Sequence, residues 1–321
     1  MPVVTITGGT GMIGKNLTTA LIQKGYKVII LTRGTPNIPA EENVRYASWD
    51  INKQEIDGNA ISEADHIVHL SGAGVMDKRW TKKYKKEILL SRTKSSELLI
   101  KGLHDNPNKV RSVISASAIG WYGEDKDMDQ RKPFKESDPA DKNFLGETCR
   151  LWEQSIEPAQ QAGKRVVKLR FGIVLSREGG ALDEFKKPIR FGIAGILGDG
   201  KQVISWIHIE DLCRMIIYAI ENDSMHGSYN AVAPSPVTNK MFTLKLAELM
   251  RKHLYIPIHI PQFLLKIILG EKSIEVLKSA TVSADKIKNE GFVFLYPGID
   301  AALKQLVHSP QSTVHSRKPT K

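Results

Sequence analysis

One segment constrains this chain more than any other: Thr7-Gly8-Gly9-Thr10-Gly11-Met12-Ile13-Gly14. Before it stands Val3-Val4-Thr5-Ile6-Thr7, a β-branched run that reads as a buried strand. After it come Leu17, Leu21 and Ile22 at helical spacing, and the helix stops at Gly25. A glycine turn between a strand and a helix is far more specific than glycines alone. Gly8 permits the tight turn, Gly11 leaves the backbone open to a pyrophosphate, and Gly14 lets the helix lie close to the strand. Thr10, Met12 and Ile13 complete the helix start, where unpaired N–H groups favour an anion.

The rest of the chain repeats the strand–helix alternation. Lys27–Thr32, Val44–Trp49, His66–Leu70, Val110–Ser115 and Val166–Leu169 read as strands, with helices near Lys82–Leu103 and Asn143–Ala162. The fold class expected is α/β: a Rossmann-type doubly wound parallel sheet with a smaller C-terminal substrate lobe. Residues 1–175 form the dinucleotide-binding domain, which the chain re-enters at about 203–233 through a strand Ile204–Ile209 and a helix Asp211–Glu221. Asp211 reads as the N-cap of that helix and His208 as its neighbour, both architectural. Residues 176–202 and 234–306 form the smaller lobe, with helices Asn239–Leu254, Phe263–Leu269, Ala280–Lys288 and Ile299–Leu306. Residues 307–321 read as a disordered tail.

Composition narrows the setting. The chain has 321 residues and only two cysteines, Cys149 and Cys213, so a disulfide framework is excluded and a reducing compartment expected. No CxxC or Cys/His spacing marks a metal site, and none is expected. No apolar run is long enough to span a bilayer, and the N-terminus begins as a strand without a signal sequence; the expectation is a cytoplasmic protein with no membrane partner. The net charge of +11 fits nucleic acid, an anionic substrate or mere solubility. Lys78, Arg79, Lys82, Lys83, Lys85 and Lys86 surround Trp80 and Tyr84 at the spacing of an amphipathic helix, so they read as a solvated face and no nucleic-acid partner is expected.

The end of the second strand selects the cofactor. It reads Leu31-Thr32-Arg33-Gly34, without the acid that would bond the ribose hydroxyls of NAD. A guanidinium there pairs with a 2′-phosphate, so NADP is expected, held by Thr32 and Arg33. Asp50 is placed to bond the adenine amino group, and Leu70-Ser71-Gly72-Ala73 offers small residues where the cofactor passes close to backbone.

TGGTGMIG, Asp50, HLSGAG, SASAIGWYG, LRFGIVLS and SWIHIEDL together resemble the extended short-chain dehydrogenase/reductase superfamily. RWTKKYKKEILLSR, SASAIGWYG, Cys149-Arg-Leu-Trp-Glu153 and NAVAPSPVTNKMF resemble its atypical branch, the epimerase family proteins, which carry a small C-terminal domain of unknown function. The resemblance implies chemistry by a serine, a Tyr-xxx-Lys pair and an upstream asparagine. Ser115 and Ser117 match the serine, with Ser117 preferred as the substrate-orienting group and Ser115 beside the cofactor. The Tyr-xxx-Lys pair is absent: Leu145 stands for the tyrosine and Cys149 for the lysine. Arg92 replaces the asparagine and is expected beside the cofactor.

Tyr122 and Cys149 are then the candidates for acid/base or thiol chemistry, and their plainer readings are a tyrosine lining or packed below the pocket and a small buried hydrophobe. Two functions remain in view. One is an NADP-dependent oxidoreductase or epimerase-like enzyme on an unidentified small molecule, in a possible homodimer. The other is a catalytically silent NADP(H) sensor.

Overall fold

The computed structural model describes residues 1–34, 42–126 and 132–308. In chain order its first half runs β1 (Val3–Thr7), α1 (Met12–Gln23), β2 (Lys27–Thr32), β3 (Val44–Asp50), β4 (Glu55–Ile56), α2 (Gly58–Ser62), β5 (His66–His69) and α3 (Lys82–Asp105). It continues through β6 (Ser112–Ala118), α4 (Phe144–Ile156), α5 (Pro158–Gln161) and β7 (Arg165–Phe171). These strands and one later strand build an eight-stranded sheet, and along it only β4 pairs antiparallel. Side chains alternate across it. Val4, Ile6, Val28, Ile30, Val68, Ile114 and Val167 join one core with Leu17 and Leu21 of α1. On the other face, Ile67, Val113 and Val166 pack with Leu99, Leu103 and Ile156, and Ile29 and Leu31 with Leu98. Both faces are covered, which is why the strands read as unbroken apolar runs.

The remaining elements are β8 (Ile173–Leu175), α6 (Ala181–Arg190), β9 (Ile193–Leu197), β10 (Val203–Ile204), β11 (Trp206–His208), α7 (Ile209–Glu221), β12 (Gly227–Ala231) and β13 (Val237–Thr238). They end with α8 (Asn239–Arg251), β14 (Ile256–Ile260), α9 (Gln262–Leu269), α10 (Ser273–Leu277), α11 (Asp285–Asn289) and α12 (Ile299–His308). The sheet order is β12-β7-β6-β5-β1-β2-β3-β4. The connections run outward in opposite directions from β1 and β5, so these two strands mark the topological switch point, and open sheets of this kind bind ligands in the crevice outside the carboxyl ends there. A second core of Leu182, Ile189, Trp206, Phe242, Leu246, Leu303 and Leu306 holds α6, α8 and α12 together.

Several expected elements differ. Ile204–Ile209 does not enter the main sheet; it breaks at Ser205 into β10 and β11, which pair with β13 and β8, and it is β12 that joins β7. Pro158, which has no amide to donate, divides the predicted Asn143–Ala162 helix into α4 and α5. Strand β6 runs on to Ala118, three residues beyond the predicted Val110–Ser115, so Ser117 lies within it as well as Ser115. The predicted helix Ala280–Lys288 begins only at Asp285. Residues 279–283 are an extended strap whose period-two alternation buries Ala280 and Val282 in the main core. Its polar positions bond both flanks. Asp125 accepts from Ser279 Oγ at 2.7 Å and from Thr281 N and Oγ1 at 2.9 Å, while Ser205 Oγ donates to Ala280 O at 2.8 Å. The predicted tail overlaps the end of α12 at Val307 and His308, and residues 309–321 lie outside the described residues.

The joint before α7 is also built differently. His208, not Asp211, is the N-cap, accepting from Glu210 N at 3.2 Å. Asp211 is fully buried inside the first turn and accepts from Leu295 N at 2.8 Å and Tyr296 N at 2.9 Å, tying the C-terminal segment to the sheet domain. Asp211→Ala leaves both amides unpaired and is expected to cost about 2 kcal/mol, read as a lower urea midpoint at unchanged m-value.

Candidate functional site

At the carboxyl end of β1 the glycines are needed by geometry. Gly8 has φ +70°, and a Cβ there would lie 3.0 Å from the Leu70 carbonyl, the start of the loop after β5. A Cβ on Gly14 would fall 2.4 Å from Gly9 Cα, so α1 closes directly on the turn. Gly11 differs: the nearest atom to its added Cβ is Gly8 O at 3.3 Å, and the residue is exposed. A Cβ at Gly11 would press only on that carbonyl and otherwise project into open space. Gly11 caps α1 without a side-chain bond, and no acid stands in the first turn, so the positive helix end faces the crevice uncompensated beside exposed Thr10 and half-buried Met12 and Ile13. This cradle fits the pyrophosphate of a dinucleotide.

The loop after β5 is fixed from beneath. Thr7 Oγ1 accepts from Leu70 N at 3.1 Å and Ser71 N at 3.2 Å and meets His69 Nδ1 at 2.8 Å. Ala73 N donates to Ser91 Oγ at 2.9 Å, and Arg92 Nη1 donates to Ala73 O at 3.0 Å. Arg92 stacks 4.8 Å from the Trp152 ring, and a Cβ on Gly72 would sit 3.1 Å from its Cζ. Gly72 and Arg92 are thereby brought face to face. At the end of β2, Thr32 is half-buried and Arg33 is exposed with no hydrogen bond or ion pair to the described residues. Asp50 Oδ1 accepts from Asn52 N at 2.8 Å and Lys53 N at 3.1 Å, so this oxygen closes the turn after β3.

The third group of predicted residues forms a buried network. Ser117 Oγ donates to Glu153 Oε1 at 2.7 Å. Glu153 also takes Arg170 Nε at 2.8 Å and Nη2 at 3.2 Å, and Ser228 Oγ at 3.0 Å. Arg170 Nη1 donates to the Tyr122 hydroxyl at 2.9 Å, and that hydroxyl donates to Asn230 Oδ1 at 2.6 Å. Tyr122 is fully buried and stacked on Phe134, and burial pushes its hydroxyl up to about 12. This replaces its reading as a pocket acid/base: the hydroxyl is spent within the protein, the packing role that the sequence also allowed. Cys149 is buried beside Gly120, and burial raises its thiol to about 12, so it stays protonated at neutral pH and is a poor nucleophile. Ser115 is buried and donates to Ala116 O at 3.2 Å.

Sequence reasoning missed the centre of this network. Its signal was present in α4: Leu145, Cys149, Trp152 and Ile156 mark the buried face, and Glu153 is buried among them. A carboxylate on an apolar face demands a buried partner. It also missed Lys278 and Glu275, paired at 3.4 Å, with Lys278 close enough to Cys149 for its charge to act on the thiol. Among the described residues no cluster of three or more His, Cys, Asp or Glu side chains could hold a metal ion.

A parallel doubly wound sheet with an open glycine cradle at its switch point defines a dinucleotide-binding protein of the Rossmann type. The chain belongs to the NAD dependent epimerase/dehydratase family, whose model matches residues 4–231, and a domain of unknown function, DUF1731, matches residues 260–306. An epimerase family protein of Staphylococcus saprophyticus is 37% identical over 305 residues, covering 94% of this chain and 98% of that protein. The human epimerase family protein SDR39U1, solved with NADPH, superposes with a TM-score of 0.83 at 27% identity over 95% of this chain and 99% of that one. A nucleoside-diphosphate sugar epimerase from Corynebacterium glutamicum superposes at 0.75 with 31% identity, over 98% of this chain but 60% of that one.

Proposed function

We propose that this protein binds NADP(H) and acts as an oxidoreductase or nucleotide-sugar epimerase-like enzyme on a small molecule. The observation that carries the reading is Arg33: an exposed guanidinium at the end of β2, with no acid beside it and no partner among the described residues. A guanidinium so placed matches a 2′-phosphate and would gain nothing from a bare ribose. The turn from Gly8 to Gly14 would hold the pyrophosphate, and Leu70 to Ala73 would border the adenosine half. Bound nicotinamide supplies hydride exchange. Arg92 and Lys278, both near enough to Cys149 for their charges to act on its thiol, would stand at the nicotinamide end of the crevice, and Lys278 Nζ would hold the transferable proton. NADPH in the human relative's structure supports the same cofactor.

Arg33→Ala is expected to weaken NADP about 30-fold and NAD by less than about 3-fold in calorimetric titrations. Equal losses for both would remove the phosphate assignment. A second reading, a silent NADP(H) sensor, is favoured by one observation: Ser117 and Tyr122 are held by Glu153, Arg170 and Asn230. The two part on a panel of carbonyl compounds and nucleotide sugars. NADPH consumption that Lys278→Met abolishes supports the enzyme; cofactor binding without consumption supports the sensor.

A further inference from the structure

Two features lie apart from the proposed cofactor residues: the basic cluster at the start of α3 and a group of exposed apolar side chains on α9 and around β14 and β9. In α9, Phe263 and Ile267 are each 65% exposed and Ile268 60%, with Leu264 also exposed and only Leu265 buried. Spaced i, i+1, i+4 and i+5, the four exposed side chains form one helix face. On the strand pair β9 and β14, which leads into α9, Ile193, Ile256 and Ile258 are exposed too, as are Phe191 and Leu254 just before the two strands, with Ile256 in register with Ile193. Scattered apolar residues need no explanation, but a set this dense marks an interaction surface.

The charges around it are mostly positive, with Glu271 and Glu87 as paired exceptions. From Met250 to Gly270 the chain contains no Asp or Glu, but it carries Arg251, Lys252, Lys266 and two histidines. The start of α3 is fastened alongside. Arg79 Nη2 donates to Ile267 O at 2.9 Å, Lys272 Nζ donates to Met76 O at 2.9 Å, and Lys85 pairs with Glu271. This places exposed Lys82, Lys83 and Lys86 on the helix next to α9, and none of the three forms an ion pair among the described residues.

We propose that α9 and this basic cluster seat the protein on an anionic lipid surface. Apolar side chains flanked by lysine and arginine are what an interfacial segment needs: the first enter the acyl boundary and the second meet the headgroups. A second copy of the chain fits poorly, because a two-fold contact sets one rim of net positive charge against another, its Glu87 and Glu271 already paired to Lys78 and Lys85. Nucleic acid would satisfy the lysines but leave Phe263, Leu264, Ile267 and Ile268 in water. Among the described residues no helix is long and apolar enough to cross a membrane. An eight-residue helix reaches only about 12 Å, so it lies on a bilayer and does not span it. The expectation of no membrane partner rested on the lack of a spanning segment, and lying on a surface needs none.

Sedimentation with vesicles tests this on the full chain. Vesicles of phosphatidylcholine with about one-third phosphatidylglycerol should bind at least about 10-fold better than pure phosphatidylcholine, and 0.5 M salt should erase the difference. Phe263→Asp with Ile267→Asp should lower binding by about 100-fold. Lys82→Gln, Lys83→Gln and Lys86→Gln together, on a solvated helix face, should lower it by about 10-fold or more. NADPH binding should be unchanged in both variants, which reports that the fold is intact. The proposal is overturned by no binding to either vesicle, by equal binding to both, or by binding that either set of substitutions leaves intact. It is also overturned by a micromolar dimer that the α9 substitutions dissociate, or by duplex DNA displacing the protein from the vesicles through the same lysines.

Discussion

Glu153→Ala is expected to cost about 3–5 kcal/mol of folding stability, a large share of what a domain possesses. The reason lies in what remains. Arg170 is only 2% exposed and has given two of its donors to Glu153. With the carboxylate gone, its charge is buried with Trp121 packed 3.7 Å below the guanidinium and with neutral oxygens from Tyr122 and Glu136. Those partners do not neutralise it. Ser117 and Ser228 also lose their acceptor. Because the penalty comes from stranding a charge, removing both charges should cost less than removing one. Glu153→Met with Arg170→Met should recover more than half of the loss in urea unfolding. A single-variant loss below about 1 kcal/mol, or a double variant that simply adds the two losses, would show that the pair is not what holds this region. The same comparison bears on function. If Ser117 acts on substrate, Ser117→Ala should reduce turnover with little effect on stability; if it only supports Glu153, it should do the reverse.

How legible this was in the sequence depended on the range of the interaction. The switch-point crevice could be read because each part is local: a β-branched strand, a glycine turn and a helix in one unbroken stretch, and Arg33 at the end of the next strand. Period-two and period-3.6 patterns gave the covered sheet for the same reason. The strap at residues 279–283 shows where this fails. Ser279-Ala280-Thr281-Val282-Ser283 alternates as a strand does, but its partners are Asp125 and Ser205, far away in sequence. Small residues in a lysine-bearing stretch looked helical. Tyr122 shows the complementary failure. Its position after β6 suggested the pocket, and only the spatial arrival of Arg170 and Asn230 turns its hydroxyl inward. Asp211 was recognised as architectural but given the wrong task, because the amides it accepts belong to Leu295 and Tyr296.

Acid should loosen the crevice from beneath, through His69. This residue is fully buried, and burial lowers its imidazole from 6.5 to about 4. Its tautomer follows from its neighbours. Thr7 Oγ1 accepts two amides, so its proton goes to His69 Nδ1. Ser95 and Ser96 donate their own protons to Arg92 O, so Nε2 carries the hydrogen and donates to their oxygens, at 3.3 and 3.2 Å. A second proton would have to sit on Nδ1, where Thr7 has no lone pair left to receive it. The folded state therefore binds this proton less readily than the unfolded chain. The stability it contributes is complete above the unfolded value of 6.5 and is lost as pH falls from there towards 4, about 3 kcal/mol in all. Burial lowers His66 and His208 as well, so they act in the same direction. His69→Gln cannot titrate. Its stability at pH 7.5 should be lower than that of the parent, and its decline between pH 6.5 and 4.5 shallower. Because Thr7 holds Leu70 and Ser71 at the lip of the crevice, cofactor affinity in the parent should also fall across this window, before global unfolding. Urea midpoints at four pH values and a cofactor titration at pH 7.5 and 5 measure both effects. Parallel pH profiles for parent and variant would show that His69 does not set the acid limit.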